Sequence, residues 1–284
     1  MRKYSLILIF VTVFTISLFY YHSQNKDSYI LHNHESVFLE QENMIAVSTY
    51  NIQFGRGQDK LVKLKRTIET LQSLDADIIS LQEVERNSLR SYFNDQVHTI
   101  ARELNMNAYF SPSIAYPGLY YGNAILTRFP INNAKTMHFH HRLENRAALV
   151  VEVQVTDTQT LHVINTHLGL DRTERSGAID KINQKLTNLD GPIILTGDLN
   201  AVPSEQEYRQ WNDKLTKSNK GIPIQTYNNQ NWQIDYIFHS SDFTVNEVNV
   251  IESDASDHFA VSALLYLESS PVYTDAKAQS KELK

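Results

Sequence analysis

Hydrophobic positions along this chain follow two regimes. The first is one uninterrupted run, Tyr4–Tyr21 (YSLILIFVTVFTISLFYY), with no charge and no polar face. As a helix it would reach roughly 27 Å, close to the hydrocarbon thickness of a bilayer. The second regime begins near residue 43, where apolar residues come in short blocks. Met44–Thr49 predicts a strand, Leu61, Leu64, Ile68, Leu71 and Leu74 a helix, and Asp77–Leu81 a second strand. Ala124–Thr127, Ala148–Val155 and Leu161–Thr166 predict three more strands. Ile179, Ile182, Leu186 and Leu189 then mark a helix leading into the apolar run Pro192–Leu195. Ile234–Phe238, Val245–Ile251 and Phe259–Tyr266 complete a strand-rich second half. Helices this amphipathic need a sheet to cover, so the body is a layered α/β structure.

The flanks divide the chain into residues 1–21, a polar linker over 22–42, a globular body over 43–267 and a polar tail over 268–284. Arg2 and Lys3 precede the first apolar run, and Tyr20 and Tyr21 stand where interfacial aromatics belong. No alanine occurs before Ala46, so a small-residue cleavage site is missing, and without cysteine there is no lipoprotein attachment. The expectation is an uncleaved single-pass anchor in the cell membrane with the body outside. The alternatives are a cleaved export signal with secretion, or a buried core helix, which the all-round apolar surface argues against.

Composition narrows the chemistry. The 284 residues are 42% hydrophobic, ample for a large core. The absence of cysteine excludes disulfides, thiolate metal sites and a cysteine nucleophile. A formal net charge of −6 without a long basic run argues against a dedicated DNA binder held by backbone phosphates.

The polar residues at the strand ends carry the functional signal. Thr49-Tyr50-Asn51, Gln82-Glu83, Asn165-Thr166-His167 and Gly197-Asp198-Leu199-Asn200 each close a strand, while Gln233-Ile234-Asp235 and Ser256-Asp257-His258 each open one. One such group is an ordinary turn or helix cap. Six in one body exceed what capping explains. The ordered set TYNIQFG, LQEVER, GNAILTRFP, INTHL, LTGDLN, QIDYIF and SDH resembles the endonuclease/exonuclease/phosphatase superfamily, on the deoxyribonuclease and neutral sphingomyelinase side. His167 carries that distinction, since apurinic endonucleases have a tyrosine at its place. The resemblance implies a four-layer α/β/β/α sandwich of two mixed β-sheets, and a divalent-metal-dependent hydrolase of phosphate esters.

Such chemistry needs charge neutralisation, an aligned water and help for the leaving oxygen. Glu83 is the strongest candidate metal ligand, because a hard carboxylate suits Mg²⁺ or Mn²⁺; Asn51 adds a neutral oxygen and Asp257 completes the set. The resemblance makes Asp198 the group that orients or deprotonates water, with Asn200 on a phosphate oxygen. On an extended segment positions i and i+2 would project to one side, and Gly197 would allow a close turn. His258 is expected on the phosphate with Asp235 fixing its tautomer, and His167 is the second catalytic histidine, a candidate acid for the leaving group. Asn123 and Arg146 are weaker candidates for substrate binding, and a surface ion pair competes for Arg146.

The substrate class stays open among a lipid headgroup, a nucleotide and a nucleic acid. Two segments are expected to shape it. Residues 133–145 hold His138, His140, His141 and Arg142, read either as an anion reader or as a polar loop. Residues 203–232 carry Trp211 and Trp232, read as core or as ligand-stacking rings. The leading expectation is an exported, membrane-tethered phosphodiesterase. A secreted or surface nuclease and a non-catalytic binding module on the same fold are the alternatives. No segment calls for an obligate protein partner.

Overall fold

The computed structural model describes residues 28–32, 37–39, 43–116, 119–205, 209, 211 and 214–268. The expected membrane segment Tyr4–Tyr21 and the tail beyond Glu268 lie outside them. Among the described residues no helix is long and apolar enough to cross a membrane.

In chain order the strands are β1 (Tyr29–Leu31), β2 (Met44–Asn51), β3 (Ile78–Arg86), β4 (Asn107–Tyr116), β5 (Leu119–Thr127), β6 (Ile131–Phe139), β7 (Arg146–Gln154), β8 (Thr160–His167), β9 (Ile193–Asp198), β10 (Thr216–Lys217), β11 (Asp235–His239), β12 (Phe243–Ile251) and β13 (Ala260–Leu267). The helices are α1 (Leu64–Leu74), α2 (Gln96–Leu104) and α3 (Arg172–Leu186). One sheet has the order β1-β4-β5-β3-β2-β13-β12 and the other β10-β11-β9-β8-β7-β6. Both are mixed: β2 with β3 and β8 with β9 run parallel, and the remaining pairs antiparallel.

Three apolar clusters fill the spaces between four layers. The central one joins the two sheets through Ile45, Val47, Ile125, Leu149, Val163 and Leu265. A second seats α3 on the smaller sheet through Ala178, Ile179, Ile182 and Leu186. The third seats α1 and α2 on the larger sheet through Leu71, Val97, Ile100 and Ala101. The fold is therefore the α/β/β/α sandwich expected, with apolar faces of sheet and helix removed from water together. Asp171 starts α3 by accepting hydrogen bonds from the amides of Thr173 and Glu174, an N-cap that satisfies donors the helix cannot.

The connectivity puts the chemistry at one end. The parallel pairs place the last residues of β2, β3, β8 and β9 together, and β5, β7, β11 and β13 begin there because they run the other way. At this end the space between the sheets turns polar. Gln82 donates to Asn165 Oδ1 at 2.7 Å, and Thr196 donates to Ser80 Oγ at 2.7 Å. Asn165 Nδ2 in turn reaches the carbonyls of Leu81 and Ala124. Side-chain bonds thus join the sheets where an apolar core would stop.

Several elements differ from the sequence reading. The segment read as a linker contributes β1, which pairs antiparallel with β4; Tyr29 packs on Phe110 and its hydroxyl donates to Asp95. Three residues among polar neighbours give no periodicity, so only the tertiary pairing defines this strand. Most of 133–145 is strand β6 rather than loop, its outward positions polar because they face water. His141 stacks against Phe139 and lies 3.4 Å from Glu174 Oε2, so it is held by the protein.

Candidate active site

Asp198 is the centre. Strand β9 (IILTGD) is buried throughout, and its last residue emerges between β8 and β11, with His167 and Asp235 as its cross-strand neighbours. Gly197 is required by contact: a Cβ there would lie 1.8 Å from the Thr166 carbonyl oxygen, and its φ of 141° disfavours other residues. The chain then leaves the strand at once. Asn200 has φ 48°, and its amide donates to Asp198 Oδ1 at 2.9 Å. Asp198 and Asn200 converge through this tight side-chain turn, and the extended geometry expected of positions i and i+2 is not what brings them together.

Asn51 and Glu83 meet Asp198 from the other sheet. Asn51 Nδ2 lies 3.1 Å from Glu83 Oε1 and 3.0 Å from Asp198 Oδ2. Glu83 sits at a bulge in β3, between Leu81 and Val84, with φ 58°. Bulges commonly aim one side chain off the ladder, and this one aims a carboxylate at the site. Burial pushes the Glu83 carboxyl above its ordinary range, opposed by the Asn51 hydrogen bond. Asp257 joins through Gln53, whose Nε2 donates to Asp257 Oδ2 at 2.7 Å. Ser256 ties the β13 approach to β2 by donating to the Asn51 carbonyl at 2.7 Å.

The histidines differ in charge. His258 Nδ1 lies 2.9 Å from Asp235 Oδ2, and its Nε2 lies 3.7 Å from Asp198 Oδ2. Burial pulls the imidazole down, but the charges of Asp235 and Asp198 outweigh it and lift its pKa to about 10. His258 is an imidazolium. His167 behaves oppositely, since burial and the neighbouring Arg146 hold it well below its ordinary value. Arg146 can only donate, so His167 Nδ1, 3.2 Å from Arg146 Nη1, accepts and Nε2 turns its proton toward Asp198, while Asn200 Nδ2 donates to the Leu168 carbonyl at 2.9 Å. His167 Nε2 lies 3.5 Å from Asp198 Oδ2 and 3.1 Å from Asn200 Nδ2. Asp198 itself is pushed up to about 6, by burial first and Asp235 second.

All ten expected positions lie at this end of the sandwich, with different roles. Arg146 is buried and paired with Glu144 Oε1 at 2.6 Å; the Glu144 side chain stays partly in solvent, so the ion pair considered for Arg146 is present, with its buried half beside His167. Asn123 donates to the Ala147 carbonyl at 3.0 Å and ties the two sheets, which gives it a structural duty the sequence did not suggest. Trp211 is fully buried against Phe238 and belongs to the core. Trp232 is 46% exposed and stacks on Tyr227, whose ring in turn meets His258 edge-on. Gln53, Tyr121 and Tyr227 were not singled out from sequence. Tyr121 lies by Glu83, and burial and that carboxylate keep its phenol protonated. Gln53 stands inside TYNIQFG, two residues beyond Asn51, and that adjacency was the available signal.

The donor set fits a hard divalent cation. Glu83, Asp257 and Asn51 offer oxygens; Asn51 Oδ1 accepts from the Gln53 amide at 3.1 Å while its Nδ2 faces Glu83 and Asp198, so only a bound cation would give that oxygen cause to turn toward Glu83. A second group, Asp198, Asp235 and His258, has ligand atoms all within 4.8 Å of one another. To bind metal there, His258 would have to shed the proton that its two carboxylates stabilise, so the trio fits a charge relay better than a cation cage.

Acids, amides and histidines thus converge at the polar end of a doubled-sheet sandwich. The sequence model of the Endonuclease/Exonuclease/phosphatase family matches residues 48–258, and the chain belongs to that family, whose members hydrolyse phosphoesters. The uncharacterized protein YbhP of Escherichia coli (strain K12) is 28% identical over 148 residues, covering 46% of this chain and 56% of YbhP. The chain thus spans little more than half the length of the curated relatives it matches. The endonuclease/exonuclease/phosphatase structure from Beutenbergia cavernae DSM 12333 superposes with TM-score 0.68 at 21% identity, over 81% of this chain and 73% of that one. The mannosyl-6-phosphatase Bt3783 of Bacteroides thetaiotaomicron VPI-5482 does so with TM-score 0.62 at 21% identity, over 78% and 99%.

Proposed function

We propose that the protein is a Mg²⁺- or Mn²⁺-dependent phosphodiesterase, exported and tethered to the membrane by Tyr4–Tyr21 with its body outside. The observation that carries the chemistry is the placing of Asp198, a buried carboxylate whose Oδ2 lies 3.5 Å from His167 Nε2, 3.7 Å from His258 Nε2 and 3.0 Å from Asn51 Nδ2. A carboxylate held at the junction of two imidazoles is placed to take a proton from water. His258, charged and anchored by Asp235, stabilises negative charge on a non-bridging phosphate oxygen, and Asn200 donates to another.

In the hydrolytic step the water oxygen bonds to phosphorus as Asp198 takes one of its protons. The bond from phosphorus to one ester alcohol breaks as neutral His167 steadies that oxygen through its Nε2–H; the oxygen takes its proton from solvent water, and Asp198 releases its own to solvent. The products are an alcohol and a phosphomonoester. Glu83, Asn51 and Asp257 would hold the metal, which when bound supplies charge neutralisation at the phosphate.

The test is hydrolysis of bis-p-nitrophenyl phosphate against p-nitrophenyl phosphate by the full-length protein, with and without chelator. Diester cleavage that requires metal and vanishes in Asp198→Ala supports the reading. Monoester cleavage alone, or full activity in EDTA, overturns it.

A further inference from the structure

Glu83 and Asp198 belong to different sheets, on β3 and β9, so their separation depends on how the two sheets sit on each other. Hydrophobic contact has no direction, and an apolar interface alone fixes sliding poorly. The residues next to Glu83 are joined by directional contacts instead. Asn165 reaches across from β8 and is fully buried. Its Nδ2 donates to the Leu81 carbonyl at 2.9 Å and to the Ala124 carbonyl at 2.8 Å, and its Oδ1 accepts from Gln82 Nε2 at 2.7 Å. The orientation of this amide is forced, because a carbonyl can only accept.

The two carbonyls mark one place in the larger sheet. Leu81 and Ala124 are the last regular partners of β3 and β5 before the register slips, and pairing resumes at Val84 and Gly122. Gln82 and Glu83 thus stand opposite Asn123 alone, and Glu83 takes the φ of 58° that turns it off the ladder. A residue other than glycine keeps such a conformation only where its surroundings impose it. Here the surroundings are side-chain amides from both sheets. Asn165 holds the last regular pair from the smaller sheet. Asn123, opposite the bulge, donates back to the Ala147 carbonyl at 3.0 Å, and Ala147 is the cross-strand partner of His167. Gln82 extends the hold to β2 by donating to Thr49 Oγ1 at 3.0 Å, two residues before Asn51.

We propose that Asn165 is the positioning residue for the metal ligand: its side-chain amide fixes the β3 bulge and so aims the Glu83 carboxylate at the site. Buried between the sheets, it acts through Glu83 and not on the substrate. Alanine there would withdraw the donor from both carbonyls, and aspartate would set a carboxylate against them. This rests on the reading of Glu83 as a ligand, deepens it to the residue that places it, and is tested so that the two can fail separately.

The variants are Asn165→Ala and, keeping one donor should the first not fold, Asn165→Ser, both in the full-length protein. Asn107→Ala is the reference. It removes a likewise buried amide, which donates to the Phe129 carbonyl at 2.8 Å from the start of β4, at the opposite end of the sandwich. Mn²⁺ binding, followed by electron paramagnetic resonance well below the melting temperature, should weaken about tenfold or more in Asn165→Ala, less in Asn165→Ser and not at all in Asn107→Ala. Adding Asn165→Ala to Glu83→Gln should weaken it no further than Glu83→Gln alone, because the two changes act through one carboxylate. Amide hydrogen exchange over residues 81–86, measured without metal, should quicken in the Asn165 variants only. Unchanged Mn²⁺ affinity in Asn165→Ala, a full further loss in the double variant, or exchange at the bulge no faster than in Asn107→Ala overturns the proposal. If Glu83→Gln binds Mn²⁺ as well as the unaltered protein does, Glu83 is no ligand, and exchange alone decides whether Asn165 fixes the bulge.

Discussion

Asp198 and Asp235 face each other as direct partners across β9 and β11, two buried carboxylates on adjacent strands. Like charges so placed repel, and the arrangement stands because His258 lies against both, 2.9 Å from Asp235 and 3.7 Å from Asp198. The pair is therefore a unit, and substitution in it should be non-additive.

Asp235→Asn keeps the shape but removes the charge that fixes the His258 proton. The rate constant kcat should fall by about 10²–10⁴, with KM nearly unchanged. The double change Asp235→Asn/His258→Ala should be no worse than His258→Ala alone. Steady-state kinetics on the three variants decides this, and multiplicative losses would separate the two residues.

Glu83→Gln removes the carboxylate at the β3 bulge while keeping its volume. The metal concentration for half-maximal activity should rise by roughly tenfold or more. Metal titration of chelated protein measures it; an unchanged midpoint would move the metal to the Asp198, Asp235 and His258 trio.

Gly197→Ala places a methyl group where the Thr166 carbonyl already stands. No side-chain rotation relieves a clash with backbone, so the loss should be about 3 kcal/mol, seen as a fall in melting temperature of roughly 10 °C. Substitution of Gly177, where a Cβ meets nothing within 4 Å, is the control and should be neutral or mildly stabilising.

His239 gives a pH dependence separate from the site. It is buried, with Nδ1 2.9 Å from the Ser240 carbonyl, and burial holds its pKa below the ordinary 6.5. The folded protein thus binds this proton less readily than the unfolded chain. Its contribution to stability is complete above pH 6.5 and is lost as pH falls below it. Denaturant titrations between pH 7 and about 5 should show a shallower acid loss for His239→Gln than for the unaltered chain.

Much of this was legible in the chain because it is written locally. Strands such as β2, β8 and β9 declare themselves by apolar runs, and their ends by an acid, amide or histidine where a buried run would otherwise continue. What escaped was written elsewhere. Strand β4 holds Pro112 and polar residues, and becomes a strand by pairing with β5 across a register shift beside that proline. The helix α2 is nine residues long and too short to stand out by period. Gln53, Tyr121 and Tyr227 reach the site from bends and strands whose mutual placement no periodicity reports. Gln82 and Asn165 were visible as strand-end polar residues, but only the approach of the sheets shows that they bind each other.

The three residues of β1 carry a weight out of proportion to their number. They cover the outer margin of β4, whose backbone amides and carbonyls from Ala108 to Phe110 would otherwise lie open to any extended chain. A fragment begun at residue 43, where periodicity places the start of the body, would shed that cover and offer a ready template for self-association. A fragment begun at residue 28 keeps the margin closed. Three residues ahead of the body that periodicity marks out are thus part of what keeps the chain from aggregating.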